Sequence, residues 1–279
     1  MTAPPRPARS ARFPLAIERV RGATPAAARP GTVLLRPQQL LQVAADHADA
    51  ERRGAPSGLG LDSSGVRARM VQRLRDGGVR SEPVLAAFAA VPRHHFVDSA
   101  LAAQAYEDTS LPIGLQQTIS KPSVVATMLA LAFDSEAARA RGSLGRVLEI
   151  GTGCGYQTAL LSLLATSVKS IERLKPLHER ALELLAPLRR HNLRLIYGDG
   201  CLGHAPNAPY DTIIAAAGGD ELPPAWLAQL APGGRIVAPM LSPRGQGQAL
   251  LSVERIGEND WRRQFHEGVH FVPLKSGVA

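Results

Sequence analysis

The chain has 279 residues, 45% of them hydrophobic and 20% charged, with a formal net charge of +8. That size and apolar share suit one substantial core, and no apolar run approaches the roughly eighteen uncharged residues of a membrane span. The two cysteines, Cys154 and Cys201, make no disulfide framework and fit a reducing compartment at least as well as an oxidising one; a cytoplasmic protein is expected.

The charge is unevenly placed. Residues 1–60 hold nine arginines, no lysine and four carboxylates, which leaves +5 of the total in the opening segment. The rest of the chain is close to balanced, so no basic field needs to surround a site there. Residues 1–62 are rich in Ala, Arg and Pro and lack sustained periodicity. They read as a mostly disordered extension with a short helix around Gln38–Arg53. A solvated extension is preferred to a transit peptide or a nucleic-acid arm, because its prolines spoil an amphipathic helix.

Order is expected from about Ser63. "SSGVRARMVQRLRDGGV" carries Val66, Met70 and Leu74 at helical spacing, closed by Gly77-Gly78. "SEPVLAAFAAVP" predicts a second helix, with Ser81 as N-cap and Pro92 beyond its end. A loop-rich stretch from His94 to Gln117 leads into "TISKPSVVATMLALAF", where Pro122 suits a first helical turn and Val124, Met128 and Leu131 follow on one face.

From Arg146 strands and helices alternate. "RVLEI", "SVKSIE", "LRLIYGDG", "YDTIIAAA" and "GRIVAPM" read as strands. Between them lie helices at "YQTALLSLLA", "LKPLHERALELLAPLRR" (Pro176 in its first turn, Pro187 bending or ending it) and "PPAWLAQL". "QALLSVERI" and "RRQFHEGVHFVPL" read as a terminal antiparallel pair. The pattern predicts an α/β fold: a doubly wound, mostly parallel sheet with ligands at the carboxyl ends of its strands.

The stretch "VLEIGTGCGYQTALL" opens a helix directly after a strand, as nucleotide loops do. Its glycines, Gly151, Gly153 and Gly155, do not match a dinucleotide loop, because Tyr156 stands where G-x-G-x-x-G requires glycine. No Gly-Lys-Ser/Thr ending marks a phosphate loop either. Glu172 ends the next strand, twenty-one residues after Gly151, where a carboxylate accepts hydrogen bonds from ribose hydroxyls. Asp199, in "GDG", ends a third strand at the same edge and can meet an adenine amino group. Together these suit an adenosine without phosphates, and S-adenosyl-L-methionine fits. Cys154 and Cys201 read as small packing residues rather than a redox pair.

"HEGVH", His266–His270, matches the letters of a zinc protease motif but not its context. On a strand four residues span roughly 13 Å, too far for two imidazoles to share zinc at about 2 Å. No metal site is expected, and His94-His95 likewise read as packing residues.

The segment from Val91 to Ala126 contains V-P-R-x-x-F-V, Y-x-D, L-P-I-G and Q-T-I-S-x-P in that order. With "VLEIGTGCGYQTALL", "IER", "GDG" and the closing "FVPL", it resembles the protein-L-isoaspartate O-methyltransferase family over roughly residues 64–275. The resemblance implies a Rossmann-like fold of the class I methyltransferase type. Residues 63–145 would form a helical acceptor-side segment and 146–279 the cofactor-binding core. It implies methyl transfer from S-adenosyl-L-methionine to the free α-carboxylate of L-isoaspartyl residues, with Ser120 as the active-site serine. It places cofactor contacts at Gln117, Thr118, Ile119, Glu149, Gly151, Thr152, Gly153, Glu172, Asp199 and Gly200. Isoaspartyl proteins are the implied partners and a monomer is expected. Ser120 and Thr118 read alone would serve equally well as helix caps. Gln116 stands where members commonly have glycine, and it keeps open an alternative acceptor, a small molecule or RNA. Lys275 replaces a threonine of some members, so that contact is not carried over.

Overall fold

A computed structural model describes residues 64–279, apart from 244, 246 and 259. The expectations for residues 1–62 lie outside the described residues.

Helix α1 (Ser64–Asp76) buries Met70 and Leu74, with Val66 packed against the same core, and ends at Gly77-Gly78. Helix α2 (Glu82–Ala90) begins after Ser81, whose hydroxyl makes no cap bond. The stretch expected as loop contains a two-stranded hairpin, β1 (Leu111–Gly114) and β2 (Gln117–Ile119), pairing Leu111 with Ile119 and Pro112 with Thr118. Helix α3 (Pro122–Phe133) starts on Pro122 as expected. Its buried face runs through Val125, Met128, Leu129 and Ala132, whereas Val124 and Leu131 are only partly buried. The predicted stripe was therefore turned by one residue, because this almost wholly apolar helix gives no polar face to read against. Helix α4 (Glu136–Arg141) is capped by the Ser135 hydroxyl on the Ala138 N–H, 3.1 Å.

The core alternates as its sequence predicts. It runs β3 (Arg146–Ile150), α5 (Tyr156–Leu164), β4 (Ser167–Glu172), α6 (Lys175–Leu185), β5 (Leu193–Tyr197), β6 (Tyr210–Ala215), α7 (Pro224–Ala228), then β7 (Leu230–Leu241), β8 (Gln248–Arg255) and β9 (Trp261–Val269). Pro176 lies in the first turn of α6, and Pro187 in the tighter turn that follows its end. The sheet order is β5-β4-β3-β6-β7-β8-β9. It is parallel from β5 through β7 and antiparallel at β7–β8 and β8–β9. Successive residues of one strand face opposite layers: Val147 joins the core under α1–α3, α5 and α6, and Leu148 the core that holds Trp226 of α7. Strand order reverses at β3, and a ligand crevice opens at the carboxyl ends beside such a switch point. The glycine loop stands there.

Candidate active site

The donor side is built from main chain. Gly151, Gly153 and Gly155 take φ of +87°, +56° and +88°, which side-chain-bearing residues rarely adopt. They turn the chain from β3 into α5, and Gly151 and Gly153 line the crevice. Glu172, at the end of β4, is 5% exposed and pins the loop: its Oε2 accepts from the Gly153 N–H at 2.8 Å and its Oε1 from the Leu174 N–H at 2.9 Å. A carboxylate offers about four lone-pair sites, so two remain for further donors. Tyr156, in place of the dinucleotide glycine, is 1% exposed and packs edge-on against Phe88 of α2 and Phe96.

The acceptor side is the hairpin and the start of α3. Ser120 follows β2, and among the described residues no hydrogen bond engages its hydroxyl or that of Thr118. The first turn of α3 is satisfied instead by Asp108, whose carboxylate accepts from the Ser123 N–H and the Ser123 Oγ–H, both at 2.8 Å. Neither Thr118 nor Ser120 is spent on capping. The Ser120 carbonyl accepts from Nη2 of Arg93 at 2.8 Å. Burial pushes the Arg93 guanidinium below its ordinary value, against the pull of neighbouring Tyr156. Leu115 and Gln116 form the hairpin turn at φ of +51° and +58°, and Leu115 is 53% exposed.

The third wall was not foreseen. After β9 the chain crosses the strand ends, with the Gly218 N–H donating to the Val272 carbonyl (2.8 Å) and the Leu274 N–H to the Gly218 carbonyl (2.7 Å). It then fastens onto the β4–α6 junction: the Ala279 N–H donates to the Arg173 carbonyl at 2.8 Å and the Lys175 N–H to the Ala279 carbonyl at 2.7 Å.

These walls enclose a cavity of about 330 Å³. Of the residues predicted for the site, Gln117, Thr118, Ile119, Ser120, Gly151, Thr152, Gly153, Glu172 and Gly200 line it. Glu149 and Asp199 are not among the lining residues. Asp199 turns to the main chain, accepting from Cys201 N–H (2.8 Å) and Gly277 N–H (2.6 Å). Burial works to raise its pKa, and these bonds outweigh it and hold the carboxyl below its usual range. Glu149 lies behind the loop at 0% exposure, accepting from Gln157 Nε2 (3.0 Å), Thr158 Oγ1 (2.5 Å) and Ser170 Oγ (2.7 Å). Ser170 in turn meets the Thr152 hydroxyl at 2.6 Å, so a hydroxyl relay joins Glu149 to the loop. Burial lifts the Glu149 carboxyl to about 7 against those three bonds.

Other lining residues escaped the sequence reading, among them Leu115, Arg173 and the closing segment Val272–Lys275. The motif "IER" contains Arg173 and "FVPL" most of the segment, but neither marked them as lining a cavity. Lys275, set aside in the sequence, lies in the cavity wall. The two cysteines are free, Cys154 being buried. His266 sits on β9, bonded to the Ser252 hydroxyl at 2.9 Å. Among the described residues no cluster of three potential metal ligands occurs, and no helix is long and apolar enough to cross a membrane.

Comparison with known proteins agrees with this geometry. The family model for protein-L-isoaspartate(D-aspartate) O-methyltransferase matches residues 66–279. The chain is 58% identical over 278 residues to a protein-L-isoaspartate O-methyltransferase of Methylibium petroleiphilum, covering 100% of both. That alignment takes in the opening segment that the sequence motifs left unmatched. A solved protein-L-isoaspartate O-methyltransferase is similar with a TM-score of 0.66 and 27% identity, over 76% of this chain and 67% of that one. A candidate member from Plasmodium falciparum, solved with S-adenosyl-L-homocysteine, shares the fold with a TM-score of 0.61 at 22% identity, over 74% of this chain and 97% of that one. The chain belongs to the protein-L-isoaspartate(D-aspartate) O-methyltransferase family.

Proposed function

We propose that this protein methylates the free α-carboxylate of L-isoaspartyl residues in damaged proteins, using S-adenosyl-L-methionine. The observation that carries the reading is the unengaged Ser120 hydroxyl in the same cavity as the glycine loop and Glu172. The donor set fits an adenosyl sulfonium: backbone at a glycine turn, one carboxylate with lone pairs to spare, and no phosphate loop. We assign donor binding to Gln117, Thr118, Ile119, Gly151, Thr152, Gly153, Glu172 and Gly200, with Glu149 and Asp199 supporting from behind the wall. When bound, S-adenosyl-L-methionine supplies a methyl whose transfer to a carboxylate oxygen leaves S-adenosyl-L-homocysteine.

The chain's own task is small and geometric. An α-carboxylate, with a pKa of about 3.3–3.7, is already ionised at neutral pH and needs no general base. The transfer neutralises a carboxylate and a sulfonium together, so a direct cationic clamp would favour the reactants over the transition state. The Ser120 hydroxyl instead orients one carboxylate oxygen, and alignment at about 3–3.5 Å supplies much of the rate. The ester then loses methanol when the next backbone nitrogen attacks its carbonyl, giving a succinimide that hydrolyses in part to normal aspartate. We further infer action as a monomer, and two free cysteines support a cytoplasmic setting.

The test is transfer of labelled methyl from S-adenosyl-L-methionine to matched isoaspartyl and aspartyl peptides, scored as base-labile ester. Label on the isoaspartyl peptide alone is expected. Equal label on both, or transfer only to small molecules or RNA, would overturn the acceptor assignment.

A further inference from the structure

We propose that Arg93 is a positioning residue that locks the acceptor wall to the donor wall, resting on the reaction proposed above. Its side chain is 0% exposed and meets three separate parts of the site. Nη2 donates to the Ser120 carbonyl at 2.8 Å, and Nε donates to the Ala105 carbonyl at 2.8 Å. The guanidinium carbon lies 4.8 Å from the centre of the Tyr156 ring. Ser120 is the acceptor-side hydroxyl, and Tyr156 is the first residue of the helix that the glycine loop opens. Ala105 belongs to the turn that leads towards Asp108, the carboxylate capping α3. One planar group therefore spans from the acceptor serine to the donor loop.

The energetics support a positional role. Among the described residues no carboxylate pairs with Arg93, and its Nη1 has no hydrogen-bond partner. Arginine cannot shed its proton in a protein, so the burial cost stays. An apolar side chain of similar volume would fill the same space without that cost. What an apolar chain cannot do is hold two carbonyls at a fixed angle while placing a cation over a ring, and a lysine ammonium cannot offer the same planar fork. The serine carbonyl is gripped from behind, so the cation fixes the hydroxyl without touching the acceptor carboxylate.

The test compares Arg93→Met and Arg93→Lys with the wild type, using folded protein verified by circular dichroism. Donor affinity is measured by calorimetry with S-adenosyl-L-homocysteine, and kcat and KM with an isoaspartyl peptide. Misplacement of reacting groups by about 1 Å costs on the order of 100-fold, so kcat should fall by roughly 10- to 100-fold in both variants. Donor affinity and peptide KM should stay within about threefold. A lowered melting temperature with unchanged kcat would make Arg93 a core residue only and overturn the proposal. Full rescue of kcat by lysine would overturn it too, by showing that charge rather than the fork matters. If neither variant folds, Tyr156→Leu removes the ring seat and keeps both carbonyl bonds; kcat should fall, and an unchanged kcat would be contrary. A wild type inactive on the isoaspartyl peptide would sink the proposed reaction. An active wild type with unimpaired variants would sink this role alone.

Discussion

The donor and acceptor walls of the cavity are made by different means. The donor wall is sheet-end backbone: three left-handed glycines, one carboxylate bonded to two main-chain N–H groups, and a buried relay from Glu149 behind them. The acceptor wall is a short hairpin with two non-glycine residues at positive φ and one unengaged hydroxyl. On the proposed reading the first binds the donor by fixed geometry on the sheet. The second, on the same reading, receives a peptide and supplies alignment rather than affinity. Substitutions on the two sides should therefore separate binding from rate.

The largest effect is expected at Glu172. On the proposed reading Glu172→Ala removes the two hydrogen bonds that the ribose hydroxyls donate to its carboxylate, and it also frees the Gly153 N–H. At about 1.5–3 kcal/mol for each charged hydrogen bond, donor affinity should weaken by roughly 100- to 10,000-fold, read by calorimetry with S-adenosyl-L-homocysteine. Unaltered affinity would remove the ribose assignment. Ser120→Ala, on the other wall, should lower kcat by roughly 10- to 100-fold while donor affinity stays near normal. An undiminished kcat at saturating peptide would break the distinction between the walls.

The two walls were also unequally legible in the sequence. The donor wall could be read because its chemistry follows strand ends: a glycine turn after β3, then Glu172 at the end of β4. Asp199 was placed at the correct edge but not in the cavity, since spacing locates a residue and not the N–H groups that claim it. Glu149 was implied by family likeness alone, and its burial follows from the inward pleat of β3. The acceptor hairpin was read as loop because Leu115-Gln116 lacks the Asn-Gly chemistry that a tight two-residue turn normally demands. Arg93 appeared in the sequence only as a letter of the V-P-R-x-x-F-V motif with no role attached, because an arginine there looks like any surface cation until three distant segments close around it. The wall from Val272 to Lys275 depends on a return crossing that no local pattern encodes.

Smaller effects sharpen the comparison. Glu149 is lifted from 4.5 to about 7 in the folded protein, so the native state holds a proton that the unfolded chain has released. Its contribution to stability is full below about pH 4.5 and is lost as pH rises through about 7. Glu149→Gln should flatten the pH dependence of the melting temperature across that window. A slope identical to the wild type would contradict the buried protonation. The smallest effect belongs to Gln116→Gly. Left-handed geometry costs a side-chain-bearing residue about 1–2 kcal/mol, and the added unfolded-state freedom of glycine returns about 0.4–1 of that. A net gain of roughly 0.5 kcal/mol in denaturant unfolding is expected, and a loss would show that the glutamine side chain holds the turn.

The most direct measurement follows one isoaspartyl peptide through a full incubation with S-adenosyl-L-methionine, resolving each species by chromatography and mass. The account predicts a transient methyl ester, then a succinimide with release of methanol, then a mixture that contains the normal aspartyl peptide. A peptide that stays unmodified while S-adenosyl-L-homocysteine forms and the methyl group appears on another acceptor would contradict it.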